Sequence, residues 1–182
     1  MNNELNMLLK ELEKTQKDFW NISRETANFI NMLIKIGNYK KALEVGTSNG
    51  YSGLWIADAL MVTGGHLTTI EFWDKRQSIA REYFKRFGFD KIITPLLGSA
   101  CDLLEEFTGE IDFAFIDANK SEYLKYYELI DKHLVSGGVL TADNILSHPE
   151  KVQPFVDAIK NNPAYQVEIL DLPAGLLVAY KK

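Results

Sequence analysis

From residue 42 onward the chain alternates short apolar runs with amphipathic stretches, and this alternation restricts the fold more than any other feature of the sequence. The runs cover residues 42–45, 67–70, 92–97, 111–116 and 139–142. Between them lie stretches of helical period at 51–61, 74–87, 101–107 and 121–134. Strands that are apolar throughout, each followed by a helix long enough to cross over a sheet, predict βαβ units and a parallel sheet covered on both faces. The end departs from that rhythm. A helical stretch at 150–160, with Val152, Phe155, Val156 and Ile159 on one stripe, precedes two apolar runs at 165–172 and 176–180. Only Pro173-Ala174-Gly175 joins them, too short a link to cross a parallel sheet, so the two runs form an antiparallel hairpin.

The first forty residues read as helix. Leu5, Leu8, Leu9 and Leu12 recur at i, i+3, i+4, i+7, Ala27, Ile30 and Ile34 repeat that spacing, and Ser23 is placed to cap the second helix. The expected fold is therefore α/β: a doubly wound, seven-stranded, mostly parallel sheet with an antiparallel C-terminal hairpin and N-terminal helices. Residues 1–182 form one domain, with 1–40 a helical extension and 41–182 the core. With 46% hydrophobic residues, 182 residues suffice for a core without metal or disulfide staples. No apolar run approaches the ~20 residues of a membrane span. The start, Met1-Asn2-Asn3-Glu4, is not that of a secretory leader. Cys101 is the single cysteine, which excludes an internal disulfide and points to the cytoplasm. The formal net charge of −5 argues against a broad nucleic-acid-binding surface.

In an open parallel sheet, ligands bind beyond the carboxyl ends of the strands, where the winding reverses. The first strand runs through Glu44 into Gly46-Thr47-Ser48-Asn49-Gly50-Tyr51-Ser52-Gly53, a glycine-rich turn before a helix that lets the backbone approach a ligand closely. The second ends at Glu71, where a dinucleotide-type site places an acid on ribose hydroxyls, and Phe72 or Trp73 beside it can stack on a base. Gly46 to Gly50 also satisfies the G-x-S-x-G pattern of a hydrolase elbow, with Asp117 or Asp143 and His148 following in order. A hydrolase leaves Glu44 and Glu71 unexplained and lacks a preceding strand for the second oxyanion donor.

The fourth and fifth strands end in Asp117-Ala118-Asn119-Lys120 and Asp143-Asn144. Two carboxylates and an amide at neighbouring strand tips form a hard oxygen set suited to Mg²⁺. The alternative is that the two aspartates only cap the following helices. Lys120 either aims an amine at a metal-bound substrate or is solvated surface. Lys75, Arg76, Arg81, Lys85 and Arg86 read as the solvated face of one helix. Tyr123 and Tyr127 read as packing residues.

Taken together, the segments from Glu44 to Ser52, Thr69-Ile70-Glu71, Phe115 to Lys120 and Ala142-Asp143-Asn144 resemble the cation-dependent O-methyltransferases that use S-adenosylmethionine, a group that includes the caffeoyl-coenzyme A and catechol enzymes and bacterial relatives. The resemblance implies a cofactor site formed by Ile22, Glu44, Gly46, Thr47, Ser48, Gly50, Ser52, Glu71, Phe72, Ser99, Ala100 and Asp117. It implies a divalent cation, Mg²⁺ first with Mn²⁺ or Ca²⁺ as alternatives, on Asp117, Asp143 and Asn144, and Lys120 as the base. The implied acceptor is a small catechol-like or phenolic hydroxyl compound, with a tRNA hydroxyuridine as the alternative, and a non-catalytic S-adenosylmethionine-binding module as the alternative of another class. A homodimer is also implied, with an N-terminal helix able to reach across its axis. The stretch from Ile145 to Glu150 is shorter than the acceptor-enclosing loop common in that group, so either the acceptor site is open, suiting a bulky substrate or RNA, or a partner chain completes it.

Overall fold

The computed structural model describes residues 2–182. Strands β1 (Lys41–Val45), β2 (His66–Glu71), β3 (Ile93–Leu97), β4 (Ile111–Ile116), β5 (Leu134–Ala142), β6 (Tyr165–Leu170) and β7 (Leu176–Lys181) form one sheet in the order β3-β2-β1-β4-β5-β7-β6. All neighbours from β3 to β5 are parallel; β7 runs antiparallel to both β5 and β6, as a link as short as residues 171–175 requires. Chain order reverses between β1 and β4, and the site lies beyond that crevice.

The helices are α1 (Asn3–Lys14), α2 (Gln16–Phe19), α3 (Arg24–Gly37), α4 (Tyr51–Thr63), α5 (Asp74–Arg86), α6 (Ala100–Glu105), α7 (Tyr123–Asp131) and α8 (Pro149–Asn161). Pleating sends alternate strand residues into two cores: Phe113 and Phe115 meet the side covered by α1, α3, α4 and α5, while Ala114 and Ile116 meet the side covered by α6, α7 and α8. Helix α4 is apolar around almost its whole circumference and is buried accordingly. Ser23 caps α3 by accepting from the Thr26 N–H. The apolar stripe of α1, Leu5, Leu9 and Leu12, is buried against its own chain. The N-terminal helices thus belong to the main core rather than standing apart from it.

Two boundaries differ from the sequence expectation. The stretch at 121–134 is not one helix: residues Lys120–Glu122 form a 3-10 turn, α7 ends at Asp131, and Leu134 already opens β5 by pairing with Ile111. The apolar spacing of 127–134 satisfies either state, and the pairing decides. A shift of register between Ile111 and Phe113 absorbs the Ser136-Gly137-Gly138 segment, with Gly137 at φ +84°. Between α2 and α3 the chain turns sharply at Trp20, in the left-handed region at φ 57°. Residues 20–23 then pass over the ends of the strands. Among the described residues no helix is long and apolar enough to cross a membrane.

Candidate active site

Beyond the carboxyl ends of β1, β2, β3 and β4 lies a cavity of about 610 Å³. Its floor is the turn after β1. Gly46 sits at φ +110°, and a Cβ there would lie 2.2 Å from the carbonyl oxygen of Asp117, so only glycine lets the turn close against the end of β4. Ser48, at φ 46°, turns its N–H onto Glu71 Oε2 at 2.7 Å, and its Oγ donates to the carbonyl of Phe19 at 2.9 Å. The Trp73 N–H donates to Glu71 Oε1 at 2.9 Å. Each carboxylate oxygen of Glu71 is thereby oriented by one backbone N–H, with lone pairs left for hydroxyls in the cavity.

Not every residue expected at the cofactor site lines this cavity. Ile22, Gly46, Thr47, Ser48, Ser52, Glu71, Phe72, Ser99, Ala100 and Asp117 do, as does Lys120, the expected base; of the expected metal residues, Asp143 and Asn144 are not part of the lining. Glu44 does not. It is fully buried behind the wall, where Ser52 Oγ donates to Oε1 and Thr69 Oγ1 to Oε2, both at 2.5 Å, and Thr47 extends the chain through Thr69. Burial pushes the Glu44 carboxyl up to about 7 against the opposing pull of those hydroxyls. Glu44 therefore meets the cavity only through Ser52 and Thr47. Gly50 also faces away: a Cβ at its φ of +87° would stand 3.0 Å from Ala80 and Phe84, so its smallness admits α5 rather than a ligand.

At the other end, the Asp117 N–H donates to the Val45 carbonyl and the Asp143 N–H to the Ile116 carbonyl, which steps the two aspartates outward along adjacent strand tips. The Tyr123 hydroxyl, buried beneath, donates to the carbonyls of Asp143 and Ile116. Lys120 Nζ meets Asp117 Oδ1 at 2.7 Å in a largely enclosed ion pair. Asp143 is buried, its Oδ1 has no hydrogen-bond partner among the described residues, and both burial and the charge of Asp117 push its carboxyl up. Asn144 stands in the left-handed region at φ 66° with its amide donating to Ser147.

Among the described residues no three His, Cys, Asp or Glu side chains are grouped so as to hold a metal ion. The strand tips offer two carboxylates and an amide instead. An unpartnered, buried carboxylate oxygen beside a second carboxylate is chemically compatible with a hard cation, so the donor set would suit one.

Several lining residues escaped the sequence. Arg76 is not a solvated side chain: its guanidinium lies 4.4 Å from the Trp20 ring centroid, 4.8 Å from Trp73 and 5.9 Å from Phe19, at the cavity rim. Arg81 and Arg86, on the same helix, are likewise engaged, with Gln77 and Pro95 and with Glu4. Glu122 and Tyr126 line the wall together, the tyrosine hydroxyl donating to Glu122 Oε2. Tyr123 and Tyr127 pack in the core as expected.

The O-methyltransferase family model matches residues 1–176. A caffeoyl-CoA O-methyltransferase of Medicago sativa is 33% identical over 182 aligned positions, covering 93% of this chain and 73% of that one. A catechol O-methyltransferase of Niastella koreensis is 33% identical over 129, covering 69% and 58%. The tapetum-specific methyltransferase 1 of Arabidopsis thaliana is 31% identical over 174, covering 90% and 74%. The chain thus spans from 58% to 74% of the length of these curated relatives. Among solved structures, the SAH-bound methyltransferase PaMTH1 of Podospora anserina shares the fold at a TM-score of 0.90 with 22% identity, over 100% of this chain and 89% of that one. An O-methyltransferase from Bacillus cereus in complex with SAH does so at 0.89 with 23% identity, over 100% and 92%.

Proposed function

The chain belongs to the O-methyltransferase family, and from that premise we propose that it moves the methyl group of S-adenosylmethionine to a hydroxyl of a small catechol-like or phenolic acceptor, with a divalent cation, Mg²⁺ first, on Asp117, Asp143 and Asn144. The observation that carries this reading is the single cavity that runs from the oriented carboxylate of Glu71 to the Asp117–Lys120 pair. When bound, the cofactor supplies an electrophilic methyl on sulfonium, and the cation supplies the charge that makes an acceptor oxygen negative at neutral pH.

The remaining work falls to the chain's own residues. Glu71 holds the ribose hydroxyls with the lone pairs that its two backbone donors leave free. Thr47, Ser48 and Ser52 surround the amino-acid portion, and the Ser99-Ala100 end takes the base, with Phe72 beside it. Ile22, on the segment that crosses the strand ends, keeps water from the sulfonium side. Holding both reactants in one enclosure replaces an encounter in solution by a fixed approach. Lys120 Nζ is the amine beside the acceptor end that takes the hydroxyl proton; to do so it must first give up its own proton and its contact with Asp117.

A labelled-methyl transfer assay tests the whole reading. Catechol and undermodified tRNA are each incubated with labelled S-adenosylmethionine, with Mg²⁺ and with chelator. Label on catechol that chelator abolishes is the expected result. Label on tRNA alone moves the acceptor to a hydroxyuridine, and cofactor binding without transfer to either makes the chain a binding module.

A further inference from the structure

The cavity contains three carboxylates on its lining, and two are already committed: Glu71 to the N–H groups of Ser48 and Trp73, and Asp117 to Lys120. The third, Glu122, has no counterpart in the chemistry above. It closes the 3-10 turn after β4, on the wall shared with Ser99, Ala100 and Tyr126, and its charge is felt by the Cys101 thiol at the start of α6. The α6 and α7 helices lie side by side there, joined by the Lys125–Glu105 ion pair at 2.9 Å, so Glu122 stands toward the start of α6, where Ser99 and Ala100 line the cavity. The residue is exposed, but one of its oxygens is anchored: Tyr126, on α7, is 3% exposed and packed in the core, and its hydroxyl donates to Oε2. Among the described residues Oε1 has no such donor.

We propose that Glu122, held by Tyr126, selects the nucleobase of the cofactor by accepting a hydrogen bond from a 6-amino group, so that an adenine is favoured over a 6-oxo purine. The inference rests on the cofactor reading given above and adds a specificity residue to it. A carboxylate is acceptor only when ionised. It rewards an exocyclic amine, and it meets the lone pairs of a 6-oxo group with repulsion. Hydrogen bonds to a charged acceptor are the stronger kind, worth a discrimination on the order of tenfold or more even at a partly solvated wall. Ser99 and Ala100 carry no acidic side chain, so Glu122 is the charged acceptor beside them. Tyr126 acts as a positioning residue: by occupying Oε2 it leaves Oε1 as the oxygen that accepts.

Calorimetric titration with S-adenosylhomocysteine and S-inosylhomocysteine reads this directly, because a ratio of two affinities in one protein cancels any general loss of structure. The wild-type chain is expected to prefer the adenosyl compound by roughly tenfold or more. In Glu122→Gln, whose amide can donate as well as accept, the preference is expected to fall to within about threefold, chiefly by a gain for the inosyl compound. In Tyr126→Phe, which keeps the ring in the core, an intermediate ratio is expected. An unchanged ratio in Glu122→Gln, with both compounds still binding, overturns the assignment of Glu122 while leaving the cofactor reading intact. If the wild-type chain binds neither compound, both readings fall together.

Discussion

Glu44 carries the cost of an acid that is buried to support other side chains. Because its carboxyl is pushed up to about 7 in the folded chain, from the ordinary carboxylate range near 4.5, the folded state retains a proton that the unfolded state releases. Stability from this group is complete below about 4.5 and is lost as pH rises toward 7. Glu44→Gln removes that dependence while keeping an acceptor for Ser52, and Thr69 can reverse its hydroxyl to receive the new amide. Between pH 5 and 8 the variant should therefore gain roughly 2–3 kcal/mol relative to wild type, read from urea unfolding at both pH values without cofactor. A difference that does not change with pH would mean that Glu44 stays ionised in the fold. At this scale strand-end position led to Gly46, Ser48, Glu71, Asp117 and Lys120, which line the cavity, whereas Asp143 and Asn144, at the end of β5, stand off its lining. It misled for Glu44 and Gly50, which sit within the same run of motif residues. Pleating sends the Glu44 side chain behind the wall, and the helix that fills the space above Gly50 comes from thirty residues further along the chain.

Among the elements, the decisive one is the segment at residues 20–23. It has no regular structure, yet it closes the cavity because three anchors fix it. The Phe19 carbonyl accepts from Ser48, the Asn21 amide donates to the Leu12 carbonyl, and Trp20 lies against the guanidinium of Arg76. Trp73 covers the same guanidinium, so α5 and the segment are joined across the cavity mouth by one cation and two indoles. Each such contact is worth ~0.5–1 kcal/mol at an exposed position. Arg76→Ala should therefore raise the dissociation rate of S-adenosylhomocysteine by about three- to tenfold, with little change in thermal stability. Stopped-flow fluorescence of Trp20 and Trp73 measures it, and an unaltered rate would show that the cofactor leaves by another route. The strands and helices themselves were readable from period and from turn residues, since those are local signals. The cage was not: Arg76 fits the polar face of α5, and nothing within α5 reports that Trp20, more than fifty residues away, will meet it.

Taken as a whole molecule, the chain places two of its acids, Asp117 and Asp143, against each other at the tips of adjacent strands, with the charge of Lys120 and a backbone hydrogen bond at Asn144 to offset them. An orphaned buried carboxylate oxygen destabilises the folded chain, and proteins retain such groups where function needs them. The same feature makes binding and stability oppose one another in a measurable way. A ligand that binds only the folded state stabilises it by RT ln(1 + [L]/Kd), about 1.4 kcal/mol at ten times Kd, or a rise of about 3–6 °C in Tm for a chain of this length. Mg²⁺ should thus raise the Tm of the wild-type chain and leave that of Asp143→Asn unmoved. Without the cation, Asp143→Asn should be the more stable protein, because the amide removes a buried charge whose Oδ1 has no donor among the described residues. The two effects have opposite signs in the same pair of melting curves, so a general loss of packing in the variant cannot imitate them. If Mg²⁺ shifts both proteins equally, the cation binds elsewhere, and the aspartates at the strand tips serve the fold alone.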